Sequence, residues 1–167
     1  NGAKVVFGTT AVDVLRLNIS KHEQNLAYSK HYNTNIIDIA WIDSETTLVV
    51  ALKDSLRVIS TIYDEEYEIE YPKEWGHVTK LVTNQQRTVL VFGTSSGIIA
   101  VSDIKNNYKF LCVFDLSGRI NTISVFGDVF AVGSESGHIT LFSATSPKQY
   151  ETLLAPKPVV SLAIGAT

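Results

Sequence analysis

Methionine is missing from all 167 residues, and cysteine occurs once, as Cys112. A lone cysteine excludes an intrachain disulfide framework and favours a reducing, intracellular setting. The missing methionine, even at position 1, suggests a piece of a longer polypeptide or a processed product. No stretch reaches the roughly 18 consecutive apolar residues that a membrane-spanning helix needs. No basic segment followed by an apolar one marks a signal peptide. Positive charge is not in excess either: 14 Lys and Arg stand against 17 Asp and Glu, for a net charge of −3. That balance argues against the electrostatic footprint of a dedicated nucleic-acid binder, so no direct contact with DNA or RNA is expected. What is abundant is hydrophobic side chain, 45% of the chain, in a length suited to one domain with a sizeable core.

The periodicity is that of strands. Glu66-Tyr67-Glu68-Ile69-Glu70-Tyr71 alternates strictly, with three acids on one face and two tyrosines and an isoleucine on the other. Period 2 of this kind defines a half-buried β-strand. The first strand reads Lys4-Val5-Val6-Phe7 between Gly2 and Gly8. Further β-branched and aromatic runs fall at 36–41, 47–52, 56–62, 78–82, 89–92, 98–101, 110–114, 120–126, 129–132, 139–142 and 159–164. Gly, Ser, Asn, Asp and Pro punctuate them. Only residues 21–30 could pass as a helix, and they are too few and too polar to hold one alone.

Four segments align: Val6-Phe7-Gly8-Thr9-Thr10, Val50-Ala51-Leu52-Lys53-Asp54, Phe92-Gly93-Thr94-Ser95-Ser96-Gly97 and Val132-Gly133-Ser134-Glu135-Ser136-Gly137. Each follows one apolar strand and precedes another. The steps from Gly8 to Ala51, Gly93 and Gly133 are 43, 42 and 40 residues. A period near 42 with four short strands per unit is the arithmetic of a β-propeller blade. A blade has two apolar faces and cannot bury both alone, so blades must stack.

The segment Gly133-Ser134-Glu135-Ser136-Gly137-His138-Ile139-Thr140-Leu141-Phe142-Ser143 resembles the G-S-x-D-G-x-I-x-I-W-D core of WD40 repeats. Phe92-Gly93-Thr94-Ser95-Ser96-Gly97-Ile98-Ile99-Ala100-Val101-Ser102-Asp103 is similar to the same core, with Asp103 at its final Asp. Leu52-Lys53-Asp54-Ser55-Leu56-Arg57-Val58 keeps the turn Asp one residue out of step, and Gly76-His77 is similar to the family's Gly-His pair. No repeat keeps the Trp-Asp pair, so the family's His–Ser–Asp–Trp tetrad is incomplete in every blade. The resemblance implies an all-β, WD40-like β-propeller of about four blades' worth of four-stranded antiparallel sheets. The chain would hold a partial blade at 4–29, blades at 36–71, 78–115 and 119–154, and the first strand of a next blade at 159–164. A closed four-bladed ring would pair 159–164 with 5–7; an arc of a larger, seven-bladed ring suits the missing methionine and abrupt ends better.

Candidate chemistry is sparse. His22, His31, His77 and His138 lack i, i+4 spacing, and Cys112 has no partner cysteine, so no metal site is expected. Cys112 reads as a small buried hydrophobe in an apolar strand, and His138 as an exposed turn residue. Gly93-Thr94-Ser95-Ser96-Gly97 formally matches the G-x-S-x-G nucleophile elbow. A strand follows instead of the required helix, so a turn between strands is expected and not a catalytic Ser95. The same context rules out a phosphate cradle. Asn18-Ile19-Ser20 is a glycosylation sequon of the kind that arises by chance. No catalytic residue and no cofactor is assigned.

The expected function is therefore non-catalytic: a protein–protein interaction scaffold, a propeller subunit of a larger intracellular complex, in cytoplasm or nucleus. The partners would be other protein subunits, with membrane association only through them. By resemblance to the family, the loop entering each first strand faces partners, which points to Asn33, Lys73, Trp75, His77, Arg119 and Lys157. Trp75 leads because tryptophan is enriched at binding hot spots; packing between blades is the equal alternative. The stretch 64–74 holds six acids. Glu66, Glu68 and Glu70 form either a docking face for a basic partner or the charged solvent face of an outermost strand, guarding against edge pairing. A coat or tether subunit of membrane traffic is an alternative reading, and a propeller hydrolase or small-ligand binder a second. A hydrolase would need acids or arginines recurring at one blade position, and none recur. Ile39, Val50, Val91, Ile123, Val132, Leu141 and Leu162 fall at inward or inter-blade positions.

Overall fold

The structure, a computed structural model, describes residues 2–18, 20–43 and 46–165. It contains fifteen strands, two short 3-10 turns (Lys73–Trp75 and Ile104–Asn106) and no α-helix among the described residues. The strands form four antiparallel sheets in chain order. The first has three strands, β1 (Gly2–Gly8), β2 (Ala11–Asn18) and β3 (Glu23–His31). The second holds β4 (Ile36–Trp41), β5 (Thr47–Leu52), β6 (Leu56–Ser60) and β7 (Glu66–Ile69). The third holds β8 (Val78–Thr83), β9 (Val89–Thr94), β10 (Ile98–Asp103) and β11 (Lys109–Asp115). The fourth holds β12 (Ile120–Phe126), β13 (Val129–Ser134), β14 (His138–Ser143) and β15 (Ser146–Leu154). The sheets stack face to face along the chain, each in contact with the next.

Stacking explains the sequence pattern of the middle strands. In β5, Leu48, Val50 and Leu52 pack with Val12 and Val14 of β2, while Val49 and Ala51 turn the other way, toward Leu81, Leu90 and Phe92. In β9, Leu90 and Phe92 face back, and Val89 and Val91 face forward onto Phe130, Val132 and Phe142. A strand covered on both faces reads as an unbroken apolar run, whereas a half-covered one alternates. The outer strands are of the second kind, which is why β3 is polar. Residues 21–30, the single candidate helix, belong mostly to β3, which pairs along its length with β2. A continuous ladder outweighs a weak local helical preference. Ile19, the centre of the sequon, lies outside the described residues.

The aligned repeat positions share one packing role. A Cβ added at Gly8 would lie 2.8 Å from Ile36 Cδ1, one at Gly93 would lie 2.6 Å from Ile120 Cβ, and one at Gly133 would lie 2.9 Å from Val159 Cβ. Ala51 holds the equivalent place in β5 and shares a core cluster with Val78. Ile36, Val78 and Ile120 each open the inner strand of the following sheet. The small residue is therefore the socket into which the next blade's first side chain fits.

Residues 159–164 depart from expectation. They run past β12, held by Val159 N–H to Ser134 O (3.0 Å), Asn121 Nδ2 to Val159 O (3.0 Å) and Ile164 N–H to Ser124 Oγ (3.3 Å). Val159 is buried over Gly133 as an inner-strand residue should be. Yet 159–164 form no strand, because no described strand offers them a ladder of backbone partners.

The expected core positions divide. Val50, Val91 and Val132 are fully buried. Ile39, Ile123, Leu141 and Leu162 are only half-buried. Leu141 points away from β10 and β11, onto the face of the last sheet where Val129 and Leu153 are also exposed. Val132→Ala should therefore cost on the order of 2 kcal/mol, and Leu141→Ala much less, although it removes the larger side chain. Urea denaturation of the two variants checks this order.

Candidate functional site

The loops that enter the inner strands all lie at one end of the stack, beside the turns that join the second and third strands of each four-stranded sheet and the first and second strands of the three-stranded one. In the third sheet that turn is Ser95-Ser96-Gly97, and Gly97 adopts φ +98. Ser95 N–H donates to His77 O (2.9 Å), His77 N–H donates to Ser95 Oγ (3.2 Å) and Ser96 Oγ donates to Trp75 O (2.5 Å). Buried Thr94 lies 3.3 Å from Ser96 Oγ through its hydroxyl. The fourth sheet repeats the device. Ser134 and Ser136 hydroxyls are 2.8 Å apart, Ser136 Oγ donates to Leu116 O (3.0 Å), and Glu135 N–H donates to Arg119 O (2.8 Å). Each turn thus ties down the loop that enters its own sheet. Sequence reading missed this relay; its signal is a buried Thr or Ser followed two residues later by Ser and then Gly.

The six expected partner residues occupy these loops. Asn33, Lys73, Arg119 and Lys157 are exposed, each shortly before Ile36, Val78, Ile120 and Val159 respectively. His77 is half-buried. Lys73 Nζ donates to Asp54 O (3.2 Å), lies 3.6 Å from Glu68 and sits 5.5 Å above the Tyr71 ring. Trp75 is half-buried, its ring stacked with Tyr71 at 6.4 Å and tilted against Phe110 at 5.4 Å. It belongs to the seam between the second and third sheets at least as much as to the surface.

The acids of β7 are exposed but paired. Glu66 receives Lys30 Nζ from the preceding sheet at 2.9 Å, and the Tyr32 hydroxyl donates to it at 3.3 Å. Arg57 reaches Glu68 at 3.1 Å. The alternation is correct; Glu66 reaches across to the preceding sheet, while Glu68 pairs within its own. Glu70, beyond the strand, is exposed. Burial pushes the Tyr28 phenol up to about 12, with the nearby Asp64 adding to it, and raises Tyr32 further. Both tyrosines stay neutral donors at any physiological pH. The hydrogen bond that Lys30 donates to Glu66 raises its pKa and keeps it charged.

Reactive groups elsewhere are dispersed. Among the described residues no three His, Cys, Asp or Glu side chains come together to hold a metal. The segment after Ser95 is the strand β10, as expected, so the helix that an elbow serine needs does not follow. His138 opens β14, half-buried, with Nδ1 2.8 Å from Ser136 Oγ. Cys112 is half-buried in β11, where burial pushes its thiol up despite the opposing charge of Lys148.

Stacked four-stranded antiparallel sheets, with the fourth strand of each outermost and the first innermost, define a β-propeller architecture. No protein-family model and no curated protein matches the sequence. Solved structures do. Sqt1 of Saccharomyces cerevisiae matches with a TM-score of 0.76 at 16% identity, over 96% of this chain and 50% of its own. A chain in a crystal structure of the mitotic checkpoint complex matches with a TM-score of 0.63 at 19% identity, over 75% of this chain and 39% of its own. This chain spans half or less of the length of these structures. The likeness shows the fold: a WD40-like propeller, of which these residues form an arc. No described helix is long and apolar enough to cross a membrane.

Proposed function

We propose that the protein is a non-catalytic interaction scaffold, part of a WD40-like propeller in a larger intracellular multiprotein complex, its ring completed by further blades. The observation that carries this reading is the row of exposed side chains on tied-down loops. Asn33, Lys73, Arg119 and Lys157 lie in the loops that precede Ile36, Val78, Ile120 and Val159, and the Ser96 and Ser136 relays hold the backbone at two of the four places. Rigid presentation lowers the ordering cost of binding, and loops on a fixed scaffold are where recognition concentrates. One structural neighbour is a chain of the mitotic checkpoint complex, which supports assembly with other protein subunits. Nucleic acid or membrane would be reached only through such partners.

The test is the double substitution Arg119→Glu with Lys157→Glu in the full-length protein. Both side chains are exposed, so the melting temperature should stay within about 2 °C of wild type. Recovery of partner subunits by affinity purification should fall about tenfold or more, with the remaining binding more sensitive to salt. Undiminished recovery with an intact fold would move the interface away from this end of the propeller.

A further inference from the structure

The end of the stack opposite the candidate interface carries the turns that join the third and fourth strands of each four-stranded sheet, residues 61–65, 104–108 and 144–145. They share one anchor. The N–H groups of Thr61, Ile104 and Ala144 donate to the carbonyls of Thr46, Thr88 and Asp128, at 2.7, 3.0 and 2.7 Å. After the anchor the turns diverge. In the third and fourth sheets the next two residues are polar, Lys105-Asn106 and Thr145-Ser146. The apolar residues of those turns point inward: Tyr108 and Ala144 are buried, and Ile104 packs on the core. The second sheet has Ile62-Tyr63 in those places, 61% and 75% exposed. Two equivalent turns thus form without apolar side chains at the tip, so packing does not account for Ile62 and Tyr63.

The tip is held in place. Ser60 N–H donates to Glu65 O (2.9 Å), and Ser60 Oγ accepts from the N–H groups of Ile62 (3.4 Å) and Tyr63 (3.3 Å). Thr61 Oγ1 donates to Thr46 O (2.9 Å). A fixed backbone removes part of the ordering cost of binding. The charge of the tip has one sign: residues 61–65 include Asp64 and Glu65 and no base. Glu65 is exposed and makes no ion pair among the described residues. Lys30 lies nearby, but its Nζ is 2.9 Å from Glu66 against 3.5 Å from Asp64, and the Asp64 side chain remains 78% exposed.

We infer that this tip is a second docking point, which takes an arginine of a partner protein together with an apolar side chain beside it. A planar guanidinium stacks on an aromatic ring while pairing with a carboxylate, and does both better than the compact, strongly hydrated lysine ammonium. Tyr63 offers the ring, Asp64 and Glu65 the carboxylates, and Ile62 the apolar contact. An acidic partner would be repelled, and a wholly aliphatic one would leave the carboxylates unmatched. The tip lies at the other end of the sheets from Arg119 and Lys157, so this goes beyond the interface proposed above: a scaffold with both would hold one partner at each end.

The probe is the peptide acetyl-Gly-Ser-Leu-Arg-Ser-Gly-amide, with lysine-for-arginine and glutamate-for-arginine counterparts as controls. The full-length protein is labelled with 3-fluorotyrosine and titrated with each peptide by fluorine NMR; Tyr63→Phe assigns the Tyr63 signal by its loss. The arginine peptide should shift that signal to saturation, and the lysine peptide should bind about threefold or more weakly. Tyr63→Ala should weaken the arginine peptide about fivefold or more, measured by calorimetry. Asp64→Asn with Glu65→Gln should weaken it about threefold or more and remove most of its salt dependence. Because these side chains are exposed, the melting temperatures should match wild type. The inference is overturned if the Tyr63 signal does not move, if either control peptide binds as well, if Tyr63→Ala binds like wild type, or if Tyr63→Ala lowers the melting temperature. It is also overturned if dilution of the protein alone moves the signal, which would mark the tip as a contact between two copies. Failure here leaves the scaffold reading standing. Conversely, partners that stay bound to the Arg119→Glu, Lys157→Glu protein count against the first interface and leave the peptide titration unaffected.

Discussion

Phe92→Ala should be the most damaging truncation in the chain, with a loss of about 3–5 kcal/mol. Phe92 is fully buried in β9, with its ring centroid 5.6 Å from Tyr71 and 6.2 Å from Phe110. It therefore ties the middle of one sheet to the residue that leaves the preceding sheet and to an outer strand of its own. The cavity left behind cannot collapse easily, because Leu90 and Val49 around it sit in strands bonded on both sides and Leu81 is paired directly with position 92. Total stabilities of single domains are only about 5–15 kcal/mol, so the variant should melt far below wild type or fail to fold. Phe92→Leu should keep most of the stability. Equal melting temperatures for Phe92→Ala and wild type would show that this seam does not form.

Gly93→Ala should also be damaging, by overpacking instead of cavity formation, with a cost of about 1–3 kcal/mol. The added methyl would sit 2.6 Å from Ile120 Cβ. Neither side can yield easily, since Gly93 is paired in β9 with both Lys80 and Ile99 and Ile120 is paired with Ser134. The second sheet tolerates alanine at this place, with Val78 opposite in the same cluster. Combining Gly93→Ala with Ile120→Ala should therefore cost less than the sum of the single changes. A double-mutant cycle measures that coupling, and strict additivity would refute the socket role of the glycine.

Much of the architecture was legible because the sockets and the middle strands obey simple rules. Gly8, Ala51, Gly93 and Gly133 announced the period, and the unbroken apolar runs of β5, β9 and β13 announced strands covered on both faces. The outer strands were harder to read. β3 and β15 touch a neighbour along only part of each face, so their polar residues carry little period-2 signal; β3 read as a possible helix for that reason. Residues 159–164 show the opposite limit. Their side chains have the right pattern for a strand, but a strand also needs a backbone partner, which the pattern of one segment does not report. At the candidate interface, the expected loops are indeed the inlets of the inner strands. The hydroxyl relay that fixes two of them was hidden because Ser and Thr near Gly are the ordinary currency of turns. The acids of β7 were correctly placed on one face, but the partners of Glu66, Lys30 and Tyr32, lie more than thirty residues away in sequence, beyond any local pattern.

The sequential stacking of the sheets bears on how the protein is made. Each sheet is an up-and-down run of neighbouring strands, and the bonds that join one sheet to the next reach only one repeat along the chain. Leu81 to Asp38 spans 43 residues and Asn84 to Asp128 spans 44. A nascent chain could therefore complete and dock one blade while the next is still inside the ribosome, with every stage held by contacts to residues already synthesised. Low sequence separation of this kind favours fast, stepwise folding. It also fixes when each surface appears: the row of loops grows one blade at a time.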